Sequence, residues 1–573
     1  MCSRQFEWAI LESVKSHFRI YDAKGLSFLT IGSINPLRES LHTLNSGYDS
    51  VSNLRIIASH YIALPKVFCP LFELFMKITA SNNALYSIAQ VYALDAAAIA
   101  SGIPGIQLMK RAGRAAFDLL LEHYPTPELV TVYCGSGKNG GDGYVLAALA
   151  TQRLIPVQVI QLTAGDRLTG EARIAYEFAV QERVTITPWS QATAPVTGVV
   201  VDALLGIGLQ GNVRPEFEAA IEQINASNLP VLAIDIPSGL NGDTGAVHGA
   251  VVTANLTISF IGIKRGLLTG RGPAVCGELF LSDLAIPADI YSDEVATTEQ
   301  LFLIDLLELL PSRKADAHKG YFGHVLVIGG DKGYGGAVIM AAEAAARAGA
   351  GLVSVATQPE HVTALLTRCP EIMARGVVSG LELEALLARP TVIVIGPGLG
   401  RSPWSEQMLQ QALKSGLPLV MDADALNILA EGRVLSNPEQ RATWLFTPHP
   451  GEAGRLLGME PREVNADRFS SIASIQNKFG GAVILKGAGS LVLGESGITG
   501  VVTDGNPGMA TGGMGDVLSG ILGALIAQGL SVEEAAQLGA TLHASAADLA
   551  AEKIGQRGLL ATDIIPYVSQ LLI

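Results

Sequence analysis

Short runs of unbroken apolar residues, each passing into a glycine-rich turn and then a helical stretch, recur along this chain. They constrain its fold more than any other feature. Runs without polar alternation belong to strands buried on both faces, so helices must cover both sides of the sheet. In the first half the runs are residues 129–134, 157–162, 198–204, 231–236 and 255–260. In the second half they are residues 324–328, 352–356, 391–395, 417–421, 444–447, 482–485 and 490–493. The expected class is α/β with a parallel sheet in each half, and the 63 glycines suit its many tight turns.

A chain of 573 residues is too long for one hydrophobic core. The rhythm breaks between Ile286 and Tyr321, where Pro287, Asp289, Asp293, Glu294, Pro311 and the charged residues 312–319 intervene. Two domains are expected, over residues 76–290 and 297–573. Helical spacing predicts leading helices over residues 85–100 and 106–121. Residues 1–75 read as an atypical extension, disordered or not translated. They mix apolar patches with Arg4, Lys15, Arg19, Lys24 and Arg38, carry no secretory pattern, and give way to a clean helical text after Met76.

The net charge of -14 excludes a broad basic surface for nucleic acid. No apolar run approaches the roughly 20 residues that span a bilayer, so no membrane partner is expected. The five cysteines are scattered without metal-ligand spacing. Reduced thiols in a cytoplasmic homo-oligomer are the expectation.

The run at 129–134 enters Gly135-Ser-Gly-Lys-Asn-Gly-Gly-Asp-Gly143, and a helix is expected from Tyr144. Gly135, Gly137 and Gly140 fit GxGxxG, whose amides can cradle a pyrophosphate. A dehydrogenase would place an acidic residue at the end of the next strand, which instead closes on Gln161 and Leu162. A P-loop fits no better, with Val132 at the first glycine position and Asn139 in place of Ser or Thr. Asp142, taken alone, reads as a helix cap. Two more strand ends carry Asp202 and Asp235, and the three loops should converge on one crevice. Oxygens from Asn139, Asp202 and Ser238 would there suit a hard cation.

KNGGDGY at 138–144, VDALLGIGLQGN at 201–212 and DIPSGLNGDTG at 235–245 resemble the NAD(P)H-hydrate epimerase family, over about residues 80–285. The resemblance implies a Rossmann-like three-layer sandwich and a hydrated nicotinamide dinucleotide as substrate. It implies potassium held by Asn139, Asp202 and Ser238. Lys138, Asn139, Gly140, Gly141, Asp142, Gly206, Ile207, Gly208, Leu209, Gln210, Gly211, Asn212 and Asp235 would line the substrate, with Asp142 as acid/base. Lys138 departs from the family's NNGGD. Inverting the hydroxylated ring carbon requires losing its hydroxyl through a stabilised cationic ring, and one carboxylic acid can shuttle the proton.

In the second half, residues 324–328 run into Gly329 and Gly330 ahead of a helix expected over 336–348. Then come GPGLG at 396–400, DADALN at 422–427, TPHPGE at 447–452, KGAGS at 486–490 and NPGMATGGMGD at 506–516. Gly512, Gly513 and Gly515 would expose amides around a helix expected from Val517, an anion hole for a phosphoryl group. Asp516 could accept a proton from an attacking hydroxyl, or simply cap the helix. GGxGD before a helix resembles the ribokinase-like superfamily. The full set, with residues 314–323, resembles the NAD(P)H-hydrate dehydratase family over about residues 300–570.

That family uses ADP, with Mg2+ expected beside it, and releases AMP and phosphate. Matching positions imply that Lys486, Gly487, Ala488, Gly489, Ser490 and Gly515 contact the adenylate. Ala337, Gly398, His449 and Asp516 would contact the hydrated dinucleotide, with Asp516 catalytic. Lys486 also reads as a surface strand-end lysine, and His449 as a loop-satisfying one. Two alternatives stand beside this reading: an ATP-dependent kinase of a vitamin or sugar fused to a binding domain, and a non-enzymatic nucleotide sensor.

Overall fold

The computed structural model describes residues 83–572 apart from 193, 210 and 436–439. The expectations for residues 1–75 and Met76 lie outside the described residues. The first strand, β1 (Ala84–Leu85), is followed by two helices, Ile88–Ala100 and Gly105–His123. Ser87 starts the first of them through a capping box with Gln90.

A seven-stranded parallel sheet then forms from β2 (Val130–Cys134), β3 (Val157–Gln161), β4 (Thr185–Pro188), β5 (Val199–Ala203), β6 (Val231–Ile234), β7 (Leu256–Phe260) and β8 (Glu278–Ser282). Its order is β4-β3-β2-β5-β6-β7-β8. Alternate residues of β2 serve two cores: Val130, Val132 and Cys134 on one face, Tyr133 on the other. Helices cover both, as the unbroken apolar runs demand.

The second sheet adds β9 (Thr298–Leu301), β10 (His324–Ile328), β11 (Leu352–Thr357), β12 (Met373–Gly376), β13 (Val392–Ile395), β14 (Leu419–Met421), β15 (Trp444–Phe446), β16 (Ala482–Leu485), β17 (Ser490–Leu493) and β18 (Thr499–Val502). Its eleven strands run β1-β9-β18-β17-β16-β15-β14-β13-β10-β11-β12. Strands β10 to β16 pair in parallel, whereas β17 is antiparallel to both β16 and β18. This sheet too divides two cores, Val325 and Val327 facing one and Leu326 and Ile328 the other.

Every expected apolar run carries a strand. The strands that the pattern passed over have polar or exposed positions, such as β4, β8 and β12. Two helix starts need correction. The helix expected from Tyr144 begins at Lys138, and the one expected from Val517 begins at Met514. Glycine's poor helix propensity argued for loops there. Close packing overrides it: a Cβ on Gly143 would lie 2.6 Å from the Ala203 Cβ, and one on Gly141 equally close to Met109.

The expected division into residues 76–290 and 297–573 is crossed by one strand. Although it falls within the first of these ranges, β1 joins the second sheet, with Leu85 opposite Thr298 and Ala84 opposite Glu299. Leu85 is buried in the core of that second unit. The next residue, Tyr86, belongs to the first unit, where its N–H donates to the Ile263 carbonyl and its own carbonyl accepts from Arg265 N–H. No single helix among the described residues is long and apolar enough to cross a membrane.

Leu85→Ala should cost about 2–5 kcal/mol, and the loss should fall on the second sheet. Amide exchange should speed up in β9 and β18; protection lost only around helix Ile88–Ala100 would contradict the strand exchange.

Candidate active sites at two sheet switch points

From β2 the chain winds outward through β3 and β4, and from β5 through β6 to β8, so strand order reverses between β2 and β5. Ligands of open α/β sheets bind at such switch points, beyond the carboxyl ends of the strands. The loops there are in close contact. A Cβ on Gly135 would sit 1.9 Å from the Leu204 carbonyl oxygen, and one on Gly140 would sit 2.2 Å from that of Gly135.

Asp202, at the end of β5, is wholly buried. Its Oδ1 accepts from Ser238 Oγ at 2.6 Å and from Leu204 N–H at 3.2 Å, and its Oδ2 accepts from Ser238 N–H at 2.8 Å. Among the described residues no basic side chain is paired with it. Burial pushes its carboxyl up to about 6, against the pull of those hydrogen bonds. Asn139 is also buried, and among the described residues neither its amide nitrogen nor its oxygen has a hydrogen-bond partner. A buried amide without partners costs a few kcal/mol.

Asp235 sits one residue past β6 at φ +66°, a left-handed conformation uncommon outside glycine. Its carboxylate is paired with Lys264, whose ammonium is fully buried and also donates to Ser259 Oγ and the Phe260 carbonyl. The Cβ position of Gly206 lies 3.2 Å from Asn139 Cβ and 3.7 Å from Asp235 Oδ2, so the first, second and third loops meet. Asp142 stands in the first turns of its helix at 7% exposure. Burial, then the charge of Asp235, pushes it well above the usual carboxylate range, with Lys138 and Lys264 opposing. Lys138 itself is paired at 2.6 Å with Asp95, at the solvent-facing rim.

The second sheet reverses between β10 and β13. There Gly398 packs against the start of helix Gly335–Arg347, its Cβ position 3.0 Å from Ala337 Cβ. Asp422, past β14, is buried and accepts from Lys486 Nζ at 2.8 Å, Thr447 Oγ1 at 2.7 Å and Ser519 Oγ at 3.1 Å. Burial alone would raise Asp422, but the Lys486 ammonium and the two hydroxyls outweigh it and hold it below the ordinary range. Glu452 stands 4.0 Å from the same ammonium. The Cβ position of Gly515 is 3.2 Å from Asp422 and 3.3 Å from Lys486 Nζ, so a side chain there would fill the space over the charge pair.

Asp516 lies in the first turn of helix Met514–Ala527. Burial and then the neighbouring Asp422 push it up to about 7, with Lys486 opposing. His449 caps helix Pro450–Leu457: its Nδ1 accepts from Gly451 N–H, and its own N–H donates to Glu452. Burial and then Lys486 lower its pKa.

Residues 105–266 match the family described as YjeF-related protein N-terminus, and residues 325–570 the family described as NAD(P)H-hydrate dehydratase. The bifunctional NAD(P)H-hydrate repair enzyme Nnr of Coxiella burnetii is 49% identical, covering 86% of this chain and 99% of that protein. That of Vibrio cholerae is 43% identical, covering 83% and 95%. The chain belongs to the bifunctional NAD(P)H-hydrate repair enzyme family. A solved ribokinase-like superfamily protein from Enterococcus faecalis is 31% identical, with 48% of this chain and 95% of that one covered at a TM-score of 0.44.

In this member of the repair-enzyme family, the fold gathers Asn139, Asp202, Ser238, Asp142, Gly206 and Asp235 around one crevice. It gathers Ala337 with Gly398 at the second, and Gly515, Lys486 and Asp516 around the Asp422 carboxylate. Gln210 lies outside the described residues. Gly208, Gly211 and Asn212 are exposed, with Ile207 and Leu209 part-buried beside them. Sequence reasoning missed Lys264, Asp422 and Glu452. Asp422 carried a usable signal, the same strand-end position that singled out Asp202. Lys264 carried none, because its partner Asp235 lies 29 residues away.

Because its folded pKa is raised, Asp516 contributes stability at pH values below its unfolded value and loses it as pH rises through about 7. Asp516→Asn should therefore stabilise the chain at pH 8 by on the order of 1–3 kcal/mol and leave it unchanged at pH 4. Urea unfolding at the two pH values checks this, and equal effects at both would refute it.

Proposed function

We propose that the chain repairs hydrated NADH and NADPH in two steps. Residues 76–290 interconvert the R and S hydrates, and residues 297–573 dehydrate the S hydrate with ADP, giving the dinucleotide, AMP and phosphate. The observation that carries this is the pair of glycine-lined crevices. Each offers a carboxyl group beside the glycine loop, Asp142 or Asp516, raised by burial and, among the described residues, not paired with an ammonium.

In the first crevice burial and the charge of Asp235 favour the protonated form of Asp142, the form an acid needs to help a hydroxide leave. Protonation of the ring hydroxyl releases water and leaves a ring cation stabilised by its nitrogen. Water returning to either face, with its proton passed back to Asp142, gives either epimer. Lys138, Asn139, Gly140, Gly141 and residues 206–212 would line the dinucleotide, with Asp235 fixed by Lys264. The unpartnered Asn139 amide, the buried Asp202 carboxylate and Ser238 fit a potassium ion. When bound, that ion would supply a fixed positive charge beside the substrate.

In the second crevice Asp516, near half-ionised at neutrality, takes the proton of the ring hydroxyl as its oxygen attacks the β-phosphorus of ADP. AMP leaves. The phosphate ester then departs with the push of the ring nitrogen, and loss of a proton from the adjacent carbon restores the dihydropyridine. Exposed amides of the 512–515 segment stabilise the transferring group. Lys486, Gly487, Ala488, Gly489, Ser490 and Gly515 would hold the adenylate, with Ala337, Gly398 and His449 on the hydrate. Mg2+ would arrive on the nucleotide phosphates, its usual manner of binding.

Asp516→Asn should lower dehydration by about 10²–10⁴-fold while epimer exchange continues. Asp142→Asn should leave only the S hydrate promptly repaired. Recovery of dihydronicotinamide absorbance from each purified epimer with ADP checks both, and full conversion by both variants would remove the assignments. In the wild type the dehydration rate should rise with pH through about 7. Epimer exchange should run faster in KCl than in tetramethylammonium chloride, and Asn139→Ala should abolish that difference; a rate indifferent to the salt would argue against the ion.

A further inference from the structure

The 486–490 loop is held from behind by the other half of the chain. Arg468 is 2% exposed, and among the described residues no carboxylate pairs with it. Its charge is satisfied by oxygens. Nε donates to Thr269 Oγ1 at 3.1 Å, Nη2 to the Leu485 carbonyl at 3.0 Å, and Nη1 to the Lys486 carbonyl at 3.4 Å. Thr269 Oγ1 in turn donates to the Gly489 carbonyl at 2.7 Å, and Gly270 N–H donates to the Ala488 carbonyl at 3.1 Å.

The two glycines of KGAGS fit this support closely. Gly487 has φ +149°, and a Cβ there would lie 2.8 Å from Arg468 Nη1. Gly489 has φ +60°, and a Cβ there would lie 1.8 Å from the Leu268 carbonyl oxygen and 2.6 Å from Thr269 Cα. What lies behind the loop thus excludes side chains at both positions, whatever binds in front. A buried guanidinium tolerates little loss of its partners, so the Thr269 hydroxyl, bonded both to Arg468 and to the loop, fixes one against the other.

We propose that Thr269 of the first domain, acting through Arg468, is a positioning residue for the nucleotide loop of the second. The dehydratase site is completed by the epimerase half. This rests on the reading of residues 486–490 as the loop that binds ADP. Thr269 is not among the residues gathered around Asp142, so its effect should fall on one activity alone.

The test uses the full-length chain. Thr269→Val keeps the shape and removes the hydroxyl. It should raise the KM for ADP roughly five-fold, the worth of one hydrogen bond, with kcat and epimer exchange nearly unchanged. Thr269→Ser should restore the wild-type KM. In parallel, Ala488→Glu sets an anion on the exposed crown of the loop and should abolish ADP binding. If Ala488→Glu binds ADP normally, the nucleotide reading of the loop fails. If Ala488→Glu loses ADP while Thr269→Val keeps the wild-type KM, the loop binds nucleotide and the positioning role fails. An equal loss of both activities by Thr269→Val would also overturn the proposal by showing a general structural role.

Discussion

Removing a carboxylate from water is costly unless a counter-charge or several donors replace the solvent, and both crevices are arranged around that cost. Asp422 is given Lys486 and two hydroxyls, and stays ionised. Asp235 is given the fully buried Lys264. Asp202 receives only Ser238 and one backbone amide, which leaves it raised. Asp142 and Asp516 are buried near Asp235 and Asp422 respectively and are pushed up by burial and by those charges. The paired carboxylates thus tune the unpaired ones: Asp235 repels charge on Asp142, as Asp422 does on Asp516.

Much of this frame was legible in the residues. Unbroken apolar runs located the central strands because burial on both faces leaves no polar alternation, and the strand-end rule found Asp202 and Asp235. Outer strands such as β4 and β12 escaped because they are exposed and polar. The glycine segments after β2 and before Asp516 were read as loops from local propensity up to Gly143 and Asp516, yet the helices already begin at Lys138 and Met514. Which of their glycines meet a neighbouring helix or strand depends on tertiary approach, which no local window contains. Lys264 and Arg468 were invisible for the same reason, since each is defined by partners far along the chain.

The contact between the halves was the least legible part. A two-residue strand has no periodicity to read, and β1 gains its place only because Leu85 fits a core that the chain builds later. Its consequence is mechanical. Tyr86 bonds the backbone on either side of Lys264, while Leu85 is locked in the other sheet. The segment that positions the Asp235 counter-ion is therefore tied to the second domain. The next residue, Arg265, lies 4.3 Å over the ring of Phe469, the neighbour of Arg468 in the chain.

A motif's glycines need not all be explained by its ligand. Gly515 is open toward Lys486 and Asp422, so its missing side chain leaves room where substrate chemistry is proposed. Gly489 is closed from behind by Leu268, so its missing side chain serves the junction between domains. Both look alike in the sequence, because a ligand and a neighbouring backbone impose the same steric demand on a Cβ. The two demands separate once the structure shows which side is occupied: at Gly515 the near neighbours are the charged groups of the site, and at Gly489 they are the main chain of the other half.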